Sequence, residues 1–222
     1  MKKLAVILPL VILMMLGMKA SVMAQDDIQD IQKYITMFKE TSSGGEFYGV
    51  EFDLFGLSFK KVSKITIKTP KGKKMSFKNH LEFNKFLFLS DRMGFEEFDK
   101  QFPEGEYEIE LSPKKYGKFT INMLYNFPNP VITYPPDGAV GVPTHLTILW
   151  QPLANINELM ITIRSASVSL SNSLPIDATS FEVYQDLLPN SLHEVSLQAT
   201  TTDFEGNALI STQTIFFITG AP

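Results

Sequence analysis

Apolar positions recur along much of this chain with a period of two. Ile65 and Ile67 share one side of a segment whose other side carries Lys64, Thr66 and Lys68, and residues 47–59 alternate more loosely. Tyr107, Ile109 and Leu111 alternate in the same way with Glu106, Glu108 and Glu110. That period marks a strand with one buried face. Pro70-Lys71-Gly72-Lys73 turns the first of these segments towards Met75 and Phe77. Lys114-Lys115-Tyr116-Gly117 turns the second into a return strand carrying Phe119, Ile121, Met123 and Tyr125, so two hairpins are predicted. Between them, the Phe-rich residues 81–98 predict a short helix around Phe95 to Phe98.

The start of the chain after residue 24 has helical spacing instead. Ile28, Ile31, Tyr34, Ile35 and Phe38 follow or interleave with Asp26, Asp27 and Asp30, acids suited to the positive end of a helix dipole. The spacing predicts a short amphipathic helix over residues 28–38, packed on its own domain or presented to a partner. Thr41-Ser42-Ser43-Gly44-Gly45 then breaks it. Beyond Asn129 the period of two returns in residues 131–134, 146–150, 159–164, 181–184, 195–200 and 212–218. About seven short strands punctuated by turn residues over about ninety positions is the pattern of a β-sandwich. The expected fold is therefore mainly β, with two tandem β-sandwich-like domains, the first preceded by a short amphipathic helix.

Residues 1–24 combine Lys2 and Lys3, an apolar run broken by Pro9 and Gly17, and small exit residues Val22 and Ala24. These are the parts of a secretory signal peptide, with cleavage expected after Ala24. The apolar run ends at Lys19, short of the ~20 residues that a membrane-spanning helix needs. An uncleaved anchor is the alternative reading, and no later segment is long and apolar enough to span a bilayer. The expected location is outside the cytoplasm, periplasmic or extracellular, in a bacterium.

Charge divides the rest. The full chain carries a formal charge of −4. Residues 25–128 hold 16 basic and 16 acidic side chains, whereas beyond them one base, Arg164, faces eight acids. Fourteen of the 18 phenylalanines also precede Asn129. Two compositions predict two domains, 25–128 and 129–222, each of ordinary size for one core. An acidic chain lacks the dominant positive field of a sequence-specific nucleic-acid binder. With no cysteine, disulfide frameworks, thiolate metal sites and cysteine nucleophiles are excluded.

One charge run stands out against that background. Lys60, Lys61, Lys64, Lys68, Lys71, Lys73, Lys74 and Lys78 fall together, and no acid occurs between Asp53 and Glu82. On a hairpin these lysines gather positive charge at a turn and along one face, where an anionic partner would be attracted. The plainer reading is a solvated edge that deters strand-to-strand aggregation. With no arginine in the run, binding is expected to be diffuse and salt-sensitive rather than bidentate.

Other candidates are weaker. Glu106, Glu108 and Glu110 supply carboxylates of the kind a glycosidase pairs, but Lys114, Lys115 and Lys118 on the next strand favour cross-strand charge pairing. Glu96, Glu97 and Asp99 lack the spacing of a calcium loop. Asp203, Glu205 and Asn207 alternate beside Gly206, as cation ligands or, more simply, as a polar turn. His80, His145 and His193 are the only histidines and none is in ligand spacing of another. Trp150 ends an alternating strand and is expected in the core rather than under a sugar. Hydrolase elbows, phosphate-cradling loops and zincin motifs are absent from the sequence. No catalytic residue, metal or cofactor is expected.

Pro135-Pro136-Asp137-Gly138-Ala139-Val140-Gly141-Val142-Pro143, followed by Leu146-Thr147-Ile148-Leu149-Trp150, resembles the opening strands of fibronectin type III and bacterial immunoglobulin-like modules. Leu187-Leu188-Pro189-Asn190-Ser191-Leu192-His193 is similar to their leucine-x-proline-x-x-x-tyrosine corner, with His193 where the tyrosine is expected. There an imidazole would replace the hydroxyl as hydrogen-bonding group. Asp203-Phe204-Glu205-Gly206-Asn207 is similar to the loop before the last strand, and the resemblance covers residues 129–220. It implies a spacer, adhesive platform or accessory domain without a shared active site. The residues before Asn129 resemble no family closely enough to assign.

The expected function is an exported, non-catalytic binding or structural module acting on a protein or polysaccharide partner at the cell surface. Alternatives are a carbohydrate-active accessory or hydrolytic protein with its cleft in the Phe-rich half, or a surface-assembly subunit docking through the helix at residues 28–38.

Overall fold

The computed structural model describes residues 31–56, 62–78, 85–114, 117–166, 169–184, 186–203 and 206–221. The expected signal peptide, together with Lys60, Lys61, His80, Lys115 and Glu205, lies outside them. In chain order the first strands are β1 (Gln32–Ser42), β2 (Gly45–Phe55), β3 (Lys64–Lys68), β4 (Lys74–Lys78) and β5 (Lys85–Leu89). Helix α1 (Phe95–Gln101) precedes β6 (Gly105–Ser112) and β7 (Lys118–Met123). There follow β8 (Ile132–Tyr134), β9 (Ala139–Val142), β10 (Thr147–Trp150), β11 (Glu158–Arg164) and β12 (Ser169–Leu174). The last three are β13 (Ser180–Glu182), β14 (Leu192–Thr202) and β15 (Ala208–Thr219). The protein is mainly β, and α1 lies where the Phe-rich segment predicts it.

The amphipathic helix expected over residues 28–38 is corrected: its described part is strand β1. β1 pairs in parallel with β15, from Thr36 opposite Ala208 to Thr41 opposite Gln213. Tyr34, Ile35, Thr36, Phe38 and Thr41 are β-branched or aromatic, suited to a pleated surface. Ile35 and Met37, two apart, are buried. Pairing with a strand at the far end of the chain supplies the backbone partners that a local helix would have supplied, so tertiary context overrides the helical spacing.

Contacts divide the chain into two units. In the first, residues 53–87 and 105–122 contain a four-stranded sheet of order β4-β3-β6-β7. Ile65 and Ile67 pair in register with Phe77 and Met75 on one side and with Leu111 and Ile109 on the other. Ile65, Ile67, Tyr107, Ile109 and Leu111 are buried, while the alternate positions carry lysine, threonine and glutamate. Both predicted hairpins are present.

The second unit comprises residues 34–52, 88–104 and 123–222, so the compositional change at Asn129 falls inside it. Its larger sheet runs β12-β11-β14-β15-β1-β2-β5, and a smaller one runs β13-β10-β8. Ile132, Ile148, Trp150 and Phe181 from the smaller sheet share one core with Ile161, Ile163, Val195, Leu197 and Phe217 from the larger. Two layers joined in this order over β8 to β15, antiparallel except where β9 meets β15, make an immunoglobulin-like sandwich. The free side of β15 is covered at one end by β1 and at the other by β9, both parallel to it, which blunts an edge that would otherwise invite pairing.

Candidate functional site

The lysine run folds as the β3–β4 hairpin. Lys64 lies opposite Lys78 in register and Lys68 lies opposite Lys74. Thr69 holds the turn: its N–H donates to the Lys73 carbonyl at 2.8 Å, and its Oγ1 accepts from the Lys73 N–H at 3.1 Å. Gly72 closes it with φ of +81°, a left-handed conformation that favours glycine. Lys64, Lys68, Lys71, Lys73 and Lys74 are all exposed. Like charges placed directly across a strand pair repel, so this arrangement costs stability unless an anion or a neighbouring strand offsets it.

β6 supplies part of that offset. Lys68 is opposite Glu108 and Thr66 is opposite Glu110. Glu108 Oε2 accepts from Lys118 Nζ at 2.7 Å. Lys118, and then Lys68 and Lys74, hold the Glu108 carboxyl below its usual range, while Glu108 raises the Lys118 ammonium. Glu108 is thus a charge partner of the lysine strands, and Glu110 adds to the field that holds Lys118 charged. The turn lysines Lys71 and Lys73 lie beyond the positions that face β6.

The remaining candidates fall into structural roles. Glu96 and Glu97 occupy the first turn of α1, where acids suit the dipole, and Gln101 Nε2 donates to Glu97 Oε1 at 3.0 Å. Both carboxylate oxygens of Asp203 accept from Asn207, one from its backbone N–H and one from its side-chain amide, each at 2.9 Å. With Gly206 at φ of +87° and its N–H donating to the Asp203 carbonyl at 3.1 Å, the described residues Asp203, Gly206 and Asn207 satisfy one another. His145 is exposed beside Glu182 at 3.5 Å and Asp186 at 3.7 Å, and His193 is buried. Among the described residues no group of three or more His, Cys, Asp or Glu is arranged for a metal ion. Trp150 is in the core, its indole N–H donating to the Ala178 carbonyl at 2.8 Å.

An aromatic group forms beside α1. The Tyr48 ring lies 5.2 Å from Phe95, 5.7 Å from Phe98 and 5.8 Å from Phe127. The Tyr48 hydroxyl donates to Glu46 Oε2 at 2.8 Å, and Lys39 Nζ meets Glu46 Oε1 at 2.9 Å. Burial, then Glu46, pushes the Tyr48 phenol up to about 12. Burial also raises Tyr125, whose hydroxyl donates to the Phe102 carbonyl.

One surface is not singled out by any motif: the outer face of β11, β14 and β15, where Thr162, Ser196 and Thr214 come into register. In sequence these residues are only the polar half of an alternation, and their grouping depends on strand pairing.

No family model matches the chain, and no curated protein matches it. Solved structures that overlap it include a two fibronectin type III domain segment from chicken tenascin. That overlap has 14% identity, covers 77% of this chain and 92% of that one, and has a TM-score of 0.29. The chicken CNTN1 FN1–FN3 domains overlap at 11% identity, 84% of this chain and 64% of that one, with a TM-score of 0.33. Such slight overlaps carry no residue role to this protein. Its class rests on its own strand order: a β protein containing an immunoglobulin-like sandwich. Among the described residues no helix is long and apolar enough to cross a membrane.

Proposed function

We propose that this chain is an exported, non-catalytic binding or structural module of a bacterium, and that the β3–β4 hairpin is its contact for an anionic partner. The observation that carries the reading is the pairing of lysine with lysine across one hairpin, Lys64 with Lys78 and Lys68 with Lys74, next to a turn bearing Lys71 and Lys73. A polyanion laid along the hairpin would relieve that repulsion. The basic and apolar start of the sequence supports export, and the alternation of glutamates with buried residues supports a charge-pairing rather than a catalytic role for β6. The partner class is an acidic polysaccharide.

The test is retention of residues 25–222 on immobilised heparin across a salt gradient, beside a variant with Lys71→Glu, Lys73→Glu and Lys74→Glu. Retention at low salt that is lost in the variant is expected, since exposed charges act over about a Debye length. Flow-through of both proteins would refute the hairpin contact.

A further inference from the structure

The outer face of the larger sheet in the second unit carries a cleft of about 450 Å³. Its floor carries hydroxyls in register across three strands, Thr162 on β11, Ser196 on β14 and Thr214 on β15, and Ser171 on β12 continues the row beyond the residues that line the cleft. The row is linked in pairs, Thr162 Oγ1 with Ser171 Oγ at 3.1 Å and Ser196 Oγ with Thr214 Oγ1 at 2.8 Å. Three strand spacings of about 4.8 Å give it a length of about 14 Å. Each hydroxyl offers one donor and two acceptor lone pairs, so each pair spends one donor internally and keeps a donor and several lone pairs for a ligand.

Flanking positions extend the polar surface. Gln198 and Thr212 are in register with Glu40 of β1 on one side of the row, and Arg164 with Glu194 on the other. Arg92 Nη2 meets Glu40 Oε1 at 2.9 Å, and Arg164 Nη1 lies 3.7 Å from Glu194 Oε1. Both guanidinium side chains are about two-thirds exposed, so their remaining N–H groups face solvent. The two ion pairs leave the cleft with no net charge. Phe47 is 37% exposed at its margin and offers a ring face.

We infer that this face binds a neutral polysaccharide chain. A polyanion needs a net positive surface, which the paired charges deny. A protein partner is anchored by buried aromatic and aliphatic side chains, and Phe47 and Met160 are the only large apolar residues lining the cleft among those described. A polyhydroxylated ligand matches what is present: alternating donors and acceptors, a guanidinium and a carboxylate at each side, and one ring for the apolar face of a sugar. The site is separate from the lysine hairpin and stands or falls independently of it.

The test is electrophoresis of residues 25–222 through native gels containing a soluble β-glucan, a mannan, a galactan or dextran, with alginate as the acidic comparison. Two variants address the cleft, Ser196→Leu with Thr214→Leu, and Arg164→Ala alone; the second decides if the first fails to fold. The Lys71, Lys73 and Lys74 to Glu variant serves as the off-site control. Retardation by at least one neutral polymer is expected, weakened about tenfold or more by either cleft variant and unchanged in the lysine variant. No retardation by any of the four neutral polymers, or retardation that survives in the cleft variants, would overturn the inference. Retardation by alginate alone, lost in the lysine variant, would overturn it too and leave the hairpin contact standing.

Discussion

His193 donates from Nε2 to the carbonyl of Leu188, 3.3 Å away and five residues upstream. Thr219 Oγ1 donates to the same carbonyl, and its own oxygen accepts from the Ser191 N–H at 3.0 Å. The imidazole stacks on Phe217 with centroids 5.3 Å apart. A connection that enters β14 is thereby tied to the end of β15. In immunoglobulin-like sandwiches a tyrosine hydroxyl makes the corresponding bond to upstream backbone. Here a shorter side chain reaches the carbonyl, which requires a hydrogen on Nε2.

The geometry separates the ring's packing from its polarity. His193→Ala removes a fully buried ring and is expected to cost about 3 kcal/mol. His193→Phe keeps the stack on Phe217 and leaves the Leu188 carbonyl still bonded by Thr219, while removing a buried Nδ1 that has no partner among the described residues. Its cost should stay within about 1 kcal/mol. Urea midpoints of the two variants measure the difference, and equal losses would refute the account of the corner.

The hairpins of the first unit were legible because a single local rule, alternation up to a Gly-containing turn, specifies both strands and their register. The sandwich strands ending in Trp150 or flanked by proline turns were legible for the same reason. β5, β9 and β12 were not: Lys85–Leu89 has no polar alternation, Ala139–Val142 lies in a segment dominated by Pro and Gly, and Ser169–Leu174 is a serine-rich edge. β1 is not legible locally because its partner is β15, which begins 166 residues after Ser42 in a parallel pairing that no local window contains. The lysine hairpin was readable as charge density. The hydroxyl row was not, since Thr162, Ser196 and Thr214 become neighbours only through register.

Phe38 and Gly49 form a second dependent pair. A Cβ at Gly49 would lie 2.1 Å from Cζ of Phe38, so the ring occupies the space a side chain would take. Gly49→Ala should destabilise by about 1 to 3 kcal/mol by forcing the ring off its site. In a Phe38→Ala background the same change should be nearly neutral, giving a coupling above about 1 kcal/mol in the double-mutant cycle. Additive losses would mean that the ring does not rest on the glycine.

Tyr48 sets the response to alkali. Its phenol is raised from 10 to about 12 by burial and by the carboxylate of Glu46, with Lys39 5.9 Å from the ring centroid as the one cation described against it. The fold therefore favours the protonated phenol, and the stability it contributes is complete below pH 10 and lost as pH rises from 10 towards 12. Tyr125, also raised, adds to the same loss. In a titration of tyrosinate absorbance Tyr48 and Tyr125 should ionise late, together with unfolding. Tyr48→Phe removes the bond to Glu46, at about 1 kcal/mol near neutrality, and flattens the alkaline decline. The opposite result, all tyrosines ionising together near the ordinary value with the fold intact, would place Tyr48 in water and contradict its position against Phe95 and Phe98.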